Sequence, residues 1–342
     1  MLIIEILNEA LNRGASDIIL ATGSYPSLKI DGEIVYLDKL QILDKDIFEK
    51  EIMTIMSDSQ KTRFLSNLEQ DFSIDVKGLC RFRVNAFFQR LGYGMVFRPI
   101  KNVLPNFEEL GLPHSILNLT GRKNGIILVT GSVGAGKSTT LASFLNHINN
   151  TRRKHIITIE DPIEFVYQSE KSLIEQREVG LNTTSFENGL KYALRQASDV
   201  IMVGEMRDLD TFRLALRAAE TGNLVLATLH TSGTARTVSR IIDMFPADER
   251  DQITQQISES LIGVIWQDLL KRADGKGRVA AVEILVNTTS IANMIRKGTI
   301  HQINSAIETG AQDGMITMNK YLEFLYNKGI ITEESYRQNL KQ

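Results

Sequence analysis

The 342-residue chain has a single cysteine, Cys80, which excludes an intramolecular disulfide and a Cys-rich structural zinc site. A reducing compartment is the simplest setting, and packing the simplest task for Cys80. Net charge is nearly absent as well: 39 Lys and Arg against 41 Asp and Glu leave −2. No global attraction to nucleic acid or anionic lipid follows, so direct nucleic-acid binding is not expected. Long apolar runs are missing too, since no stretch approaches the roughly twenty uninterrupted apolar residues of a membrane helix. The start, Met1 to Glu9, has neither a basic region nor a small-residue cleavage site, and charge interrupts it early. These absences predict a cytoplasmic protein that reaches a membrane only through a protein partner.

What is present is the composition of an ordinary globular protein, long enough for two domains. Residues 3–12 carry apolar side chains at helical spacing, and short strand-like runs follow at 17–20, 27–30 and 33–37, with Asp31-Gly32 as a hairpin turn. Helical stretches at 45–56 and 59–67 precede strands at 71–76, 80–87 and 94–98, which predicts a small α+β domain over residues 1–99. Pro99, Pro105, Pro113 and Gly111 mark an irregular connector, 100–115. Over 116–342 apolar strands near 126–130, 156–160, 200–204 and 224–229 alternate with helical segments, the pattern of a parallel α/β sheet. The end of the chain, from about 288 to 342, turns helical. In such sheets ligands sit at the carboxyl ends of the strands.

Those ends carry the chemistry. Gly131-Ser132-Val133-Gly134-Ala135-Gly136-Lys137-Ser138-Thr139 follows an apolar strand and opens a helix, the arrangement of a triphosphate cradle. Its glycines let backbone N–H groups turn inward, Lys137 supplies a point charge for the β- and γ-phosphates, and Ser138 is placed to ligate Mg²⁺. Glu205 ends the strand Val200-Ile-Met-Val and is the expected organiser of the attacking water, touching Mg²⁺ through water. Glu160, Asp161 and Glu164 cluster after another strand, with Glu160 near the nucleotide and Glu164 as the functional acid. His230 ends a third strand and is placed as a γ-phosphate sensor. Arg81, Arg83 and Arg98 are candidates to neutralise charge on the γ-phosphate, with surface ion pairing as the competing account. The series Arg207, Asp208, Asp210, Arg213, Arg217 and Glu220 fits helix-face ion pairing better than catalysis.

On Gly131 to Thr139, Ile159-Glu-Asp-Pro-Ile-Glu164, Val203-Gly-Glu-Met-Arg-Asp208 and Ala219 through Thr231, the chain resembles the secretion ATPases of type II secretion and type IV pilus systems, and most closely their pilus-retraction branch. These segments are similar to that family's Walker A, Asp box, Walker B and His box, and the similarity extends over almost the whole chain. The resemblance implies an N-terminal PAS-like domain, a P-loop RecA-like C-terminal domain with ATP bound between them, and a homohexameric ring. It implies that Glu205 is the Walker B glutamate, Glu164 an Asp-box acid and His230 the second His-box histidine, with the three arginines supplied from the N-terminal side. It further implies an inner-membrane platform protein of the PilC type as partner, with twitching motility and DNA uptake as consequences and paralogous pilus ATPases as companions. Asn223 stands where the family has its first His-box histidine, and Ala292 and Lys297 stand where it has arginine and glutamate. An accessory retraction paralogue, an extension or type II secretion ATPase, and an ATP-binding regulatory module with little turnover stay open as alternatives. The four-cysteine metal module usual in extension and secretion relatives is absent.

Overall fold

Two hydrophobic patterns, one alternating and one nearly continuous, form two sheets of six and seven strands in a computed structural model that describes residues 2–100 and 104–341. The chain divides into two compact units, Met1–Val103 with Pro162–Val166, and Leu104–Asp161 with Tyr167–Gln342. Of the connector expected at 100–115, residues 101–103 lie outside the described residues. Pro162–Val166, expected with the ATPase domain, groups instead with the first unit.

The first unit holds β1 (Asp17–Ala21), β2 (Ser27–Ile30), β3 (Glu33–Tyr36), β4 (Glu69–Asp75), β5 (Arg81–Gln89) and β6 (Gly92–Ile100), in the order β3-β2-β1-β6-β5-β4. Every neighbouring pair is antiparallel. The β2–β3 hairpin turns on Asp31 and Gly32, both at positive φ, the backbone that a tight two-residue turn demands. Phe82, Val84 and Ala86 alternate inward along β5 and meet Ile3, Ile6 and Leu7 of the helix Leu2–Asn12 and Phe64 of the helix Asp58–Asn67 in one core. The stretch 45–56 is not the single helix that its pattern predicts. It passes from an α-turn at Lys45–Ile47 through a wider π-turn at Phe48–Ile52 to a 3₁₀ turn at Met53–Ile55. With this change of winding Phe48, Ile52 and Met53 all reach the core.

The second unit holds β7 (Gly125–Thr130), β8 (His155–Glu160), β9 (Leu173–Glu178), β10 (Val200–Val203), β11 (Leu224–Leu229), β12 (Leu261–Lys271) and β13 (Arg278–Val286), ordered β13-β12-β7-β11-β10-β8-β9. All neighbours are parallel except β12 and β13. Ile126 and Leu128 of β7 face a core shared with Phe212, Ala215 and Leu216 of the helix Leu209–Glu220 and Ile253 and Ile257 of the helix Arg250–Ser260. Ile127 and Val129, equally buried, point to the opposite face by the period-two rule, so β7 is apolar throughout.

A stability prediction arises at the helical end of this unit. Tyr321, 3% exposed, donates its phenol to the Gly111 carbonyl at 2.6 Å, and burial pushes its pKa from 10.0 up to about 12. An unfolded tyrosine ionises through that window while the folded one stays neutral. The contribution is therefore complete below pH 10 and is lost as pH rises toward 12. Tyr321→Phe should cost about 1 kcal/mol at neutral pH and flatten the alkaline fall in stability, as read by urea melts across that range.

Candidate active site

The strand order fixes which residues can meet. β11 lies between β7 and β10, so the loop after β7, His230 just past β11 and Glu205 two residues past β10 emerge side by side at the carboxyl edge of the sheet. Gly131 leaves β7 at φ 147°, where a Cβ would sit 2.3 Å from the Gln267 carbonyl oxygen, so no side chain fits there. Gly136, in the left-handed region, begins the helix Lys137–Thr151, and no side chain caps that helix start. Its first N–H groups are consequently available to an anion, with the positive end of the helix dipole behind them. Ser132, Val133 and Gly134 form the exposed crest of the loop, while Ala135 is buried and Ser138 and Thr139 lie half-buried in the first helical turn.

Lys137 is 7% exposed. Its ammonium donates to the carbonyls of Gly131 at 3.0 Å and Ser132 at 2.8 Å and approaches His230 Nδ1 at 3.3 Å. His230 Nε2 lies 3.0 Å from Glu205 Oε1, and Arg207 Nη2 lies 2.7 Å from Glu205 Oε2. Lysine, histidine, glutamate and arginine thus form one continuous chain along the strand ends. Nδ1 of the imidazole faces the ammonium and Nε2 the carboxylate. Burial works against ionisation of Glu205, but the Arg207 hydrogen bond and the contact with His230 outweigh it and hold the carboxyl below its usual 4.5. Its contribution to stability is present above that ordinary value and is lost only as pH falls through the depressed one.

The other acids and the arginines are placed differently. Glu160, 6% exposed at the end of β8, accepts from the Thr158 hydroxyl at 2.6 Å and the Gln176 amide at 3.2 Å. Glu164 is exposed in the Pro162–Val166 segment, which groups with the first unit. Arg81, Arg83 and Arg98 share a face of the six-stranded sheet, with Arg83 directly opposite Arg98 across β5 and β6. Arg81 bonds Asp75 at 2.7 Å and the Ser73 hydroxyl at 2.5 Å, Arg98 pairs with Asp17 at 2.7 Å, and Arg83 is exposed.

Three residues of the site escape sequence reasoning. Arg207 belongs to Glu205, not to a helix face, and the neighbouring Asp208 caps the helix Leu209–Glu220 by accepting from Thr211 N. Arg213 pairs with the distant Glu249. Glu283, on β13, accepts from the backbone N–H and hydroxyl of Thr234 at 2.9 and 2.8 Å, pinning the start of the helix that follows His230. Gln267, the amide that ends the apolar run Leu261–Trp266 of β12, reaches the phosphate loop and is the one with a visible sequence signal. Asn223 lies at the opposite end of β11 from His230, roughly 20 Å away at strand rise. There its amide bonds the Ser198 carbonyl at 2.5 Å and hydroxyl at 3.1 Å. Asn223 is therefore not part of the chain from Lys137 to Arg207.

A glycine loop opening a helix, with an acid and a histidine at neighbouring parallel strand ends, defines a P-loop nucleoside-triphosphatase. Residues 1–323 match the Type II/IV secretion system protein family, and the chain belongs to that family. Type IV pilus retractation ATPase PilT of Pseudomonas aeruginosa is 46% identical over 99% of this chain and 98% of its own length. Type IV pilus ATPase PilU of the same organism is 40% identical over 96% and 86%. A crystal structure of the pilus retraction motor PilT with bound ADP superposes with TM-score 0.93 at 44% identity, covering 99% of this chain and 97% of the other. The second unit is accordingly a P-loop, RecA-like α/β domain, and the first a smaller α+β domain of the PAS-like kind seen in this family.

Proposed function

We propose that the protein is an ATPase motor that retracts type IV pili. The carrying observation is the unbroken chain from Lys137 through His230 and Glu205 to Arg207 at a phosphate loop, in a sequence 46% identical to PilT along nearly its full length. Lys137 and the N–H groups at the helix start hold the phosphates. Ser138 would hold Mg²⁺, which supplies charge neutralisation between the terminal phosphates, with Glu205 reaching it through water. Glu205 orients the attacking water, and His230, set between that carboxylate and Lys137, is the γ-phosphate sensor. Glu160 borders the nucleotide, and Glu164, Arg81, Arg83 and Arg98 contribute in the assembled ring.

The working form is a homohexamer in the cytoplasm, bound at the inner membrane through a platform protein of the PilC type. No helix among the described residues is long and apolar enough to cross a membrane. Retraction would support twitching motility and DNA uptake. Deleting the gene and scoring pili against movement tests this. A retraction motor gives more pili and no twitching, whereas bare cells would assign the protein to extension. A second reading, an accessory paralogue of the PilU kind, draws on Ala292 and Lys297, which replace charged family positions in and just after the helix Thr289–Arg296. That reading predicts reduced but persistent twitching in the deletion strain.

A further inference from the structure

We infer that Gln267 is a positioning residue that holds the phosphate loop in its nucleotide-binding shape. The inference rests on the nucleotide-binding reading above and assigns to β12 a part in that site which neither the strand-end acids nor Lys137 supply.

Gln267 is 2% exposed. Its Nε2 donates to the Ala135 carbonyl at 2.5 Å, and its Oε1 accepts from the Thr140 hydroxyl at 2.7 Å. One side chain therefore ties the last turn of the loop to the first turn of the following helix, on either side of Lys137. The main chain of the same residue closes against the start of the loop, where its carbonyl oxygen would lie 2.3 Å from a Cβ at Gly131. Its Nε2 would lie 2.8 Å from a Cβ at Gly136. Both ends of the glycine loop thus rest on one residue of a strand that is itself fixed in register, Trp266 opposite Thr130 at the end of β7.

The arrangement is costly unless it serves shape. An apolar residue would fill β12 without polar groups to satisfy, whereas a buried amide must find partners for both its donor and its acceptor. Here both partners are parts of the cradle. A glycine-rich backbone has many conformations of similar energy, and a loop fixed beforehand binds phosphate without first losing that freedom. Gln267 supplies that fixation without touching nucleotide.

The test uses the full chain titrated with mant-ADP in magnesium buffer. Trp266, the single tryptophan and the neighbour of Gln267, serves as energy-transfer donor. Gln267→Leu removes both bonds. Gln267→Glu keeps an acceptor for Thr140 but sets an oxygen against the Ala135 carbonyl, and Thr140→Val removes only the helix-side bond. For the two Gln267 variants Kd should rise about 10- to 100-fold, and for Thr140→Val by no more than about threefold, with circular dichroism unchanged. A lower melting temperature without nucleotide, combined with mant-ADP affinity within twofold of the parent, is the signature of packing alone and overturns the proposal. So does a Thr140→Val loss larger than that of Gln267→Glu, a comparison that stands even if Gln267→Leu does not fold. Failure of the parent protein to bind mant-ADP brings down the nucleotide reading itself, which the parent titration separates from a failure specific to Gln267.

Discussion

Glu205→Gln is expected to lower steady-state phosphate release by about 10²- to 10⁴-fold, while ADP affinity stays within a few-fold of the parent. The split follows from where the two functions reside. On the proposed reading phosphate is held by the loop after β7, the start of the helix Lys137–Thr151 and Lys137 itself, whose ammonium donates to the Gly131 and Ser132 carbonyls. Glu205 stands one residue further along the chain of contacts, behind His230. A glutamine there retains an oxygen that can accept from His230 Nε2 but sets an amide donor against the Arg207 guanidinium, so Arg207 is released. It also removes the negative charge that orients water and draws its proton. Phosphate release by the purified protein, paired with an ADP titration, checks both halves. Unchanged turnover would dismiss Glu205 as the water-organising residue, and parallel loss of turnover and affinity would show that it holds the nucleotide instead.

The legibility of this chain in its sequence follows physical lines. β7, β10 and β11 are apolar on both faces and short, and the residues that end them mark the carboxyl edge at once. Glu205 and His230 are consequently visible from composition alone, and their adjacency follows once β11 is placed between β7 and β10. β9 is polar and lies at a sheet edge, with Leu173 56% exposed, so no periodic signal announces it. β12 fails for the opposite reason: its opening run from Leu261 to Trp266 is unbroken apolar sequence, which suits a buried helix as well as a strand. Losing β12 also hides Gln267, because a lone amide gains meaning only when its strand is known to flank the loop. Arg207 was masked by company, since five other charged residues follow it at spacings that suit a helix face. Only the cap at Asp208 shows that the helix starts after it. Asn223 illustrates the converse, a departure that looks catalytic by motif and sits at the wrong end of its strand by geometry.

Lys137→Ala is expected to weaken binding of adenine nucleotide by about 10²- to 10³-fold, the equivalent of one or two charge-assisted hydrogen bonds in a partly buried site. The side chain is 7% exposed and ringed by the Gly131 and Ser132 carbonyls and His230, which leaves its charge directed at the cradle and away from solvent. Three acceptors around one ammonium also mean that its removal exposes their lone pairs to one another, so the loop loses order along with charge. Lys137→Arg separates the two effects. The charge is preserved, but a planar guanidinium is bulkier than the ammonium and cannot reproduce its compact fan of donors between two carbonyls of one loop. Both variants should therefore lose affinity, with arginine no closer to the parent than about tenfold. Calorimetric titration with ADP in magnesium buffer measures the difference. Affinity within threefold of the parent for Lys137→Ala would show that phosphate is held by backbone N–H groups alone, and the lysine would then be a brace for the loop and for His230, not a ligand of the nucleotide.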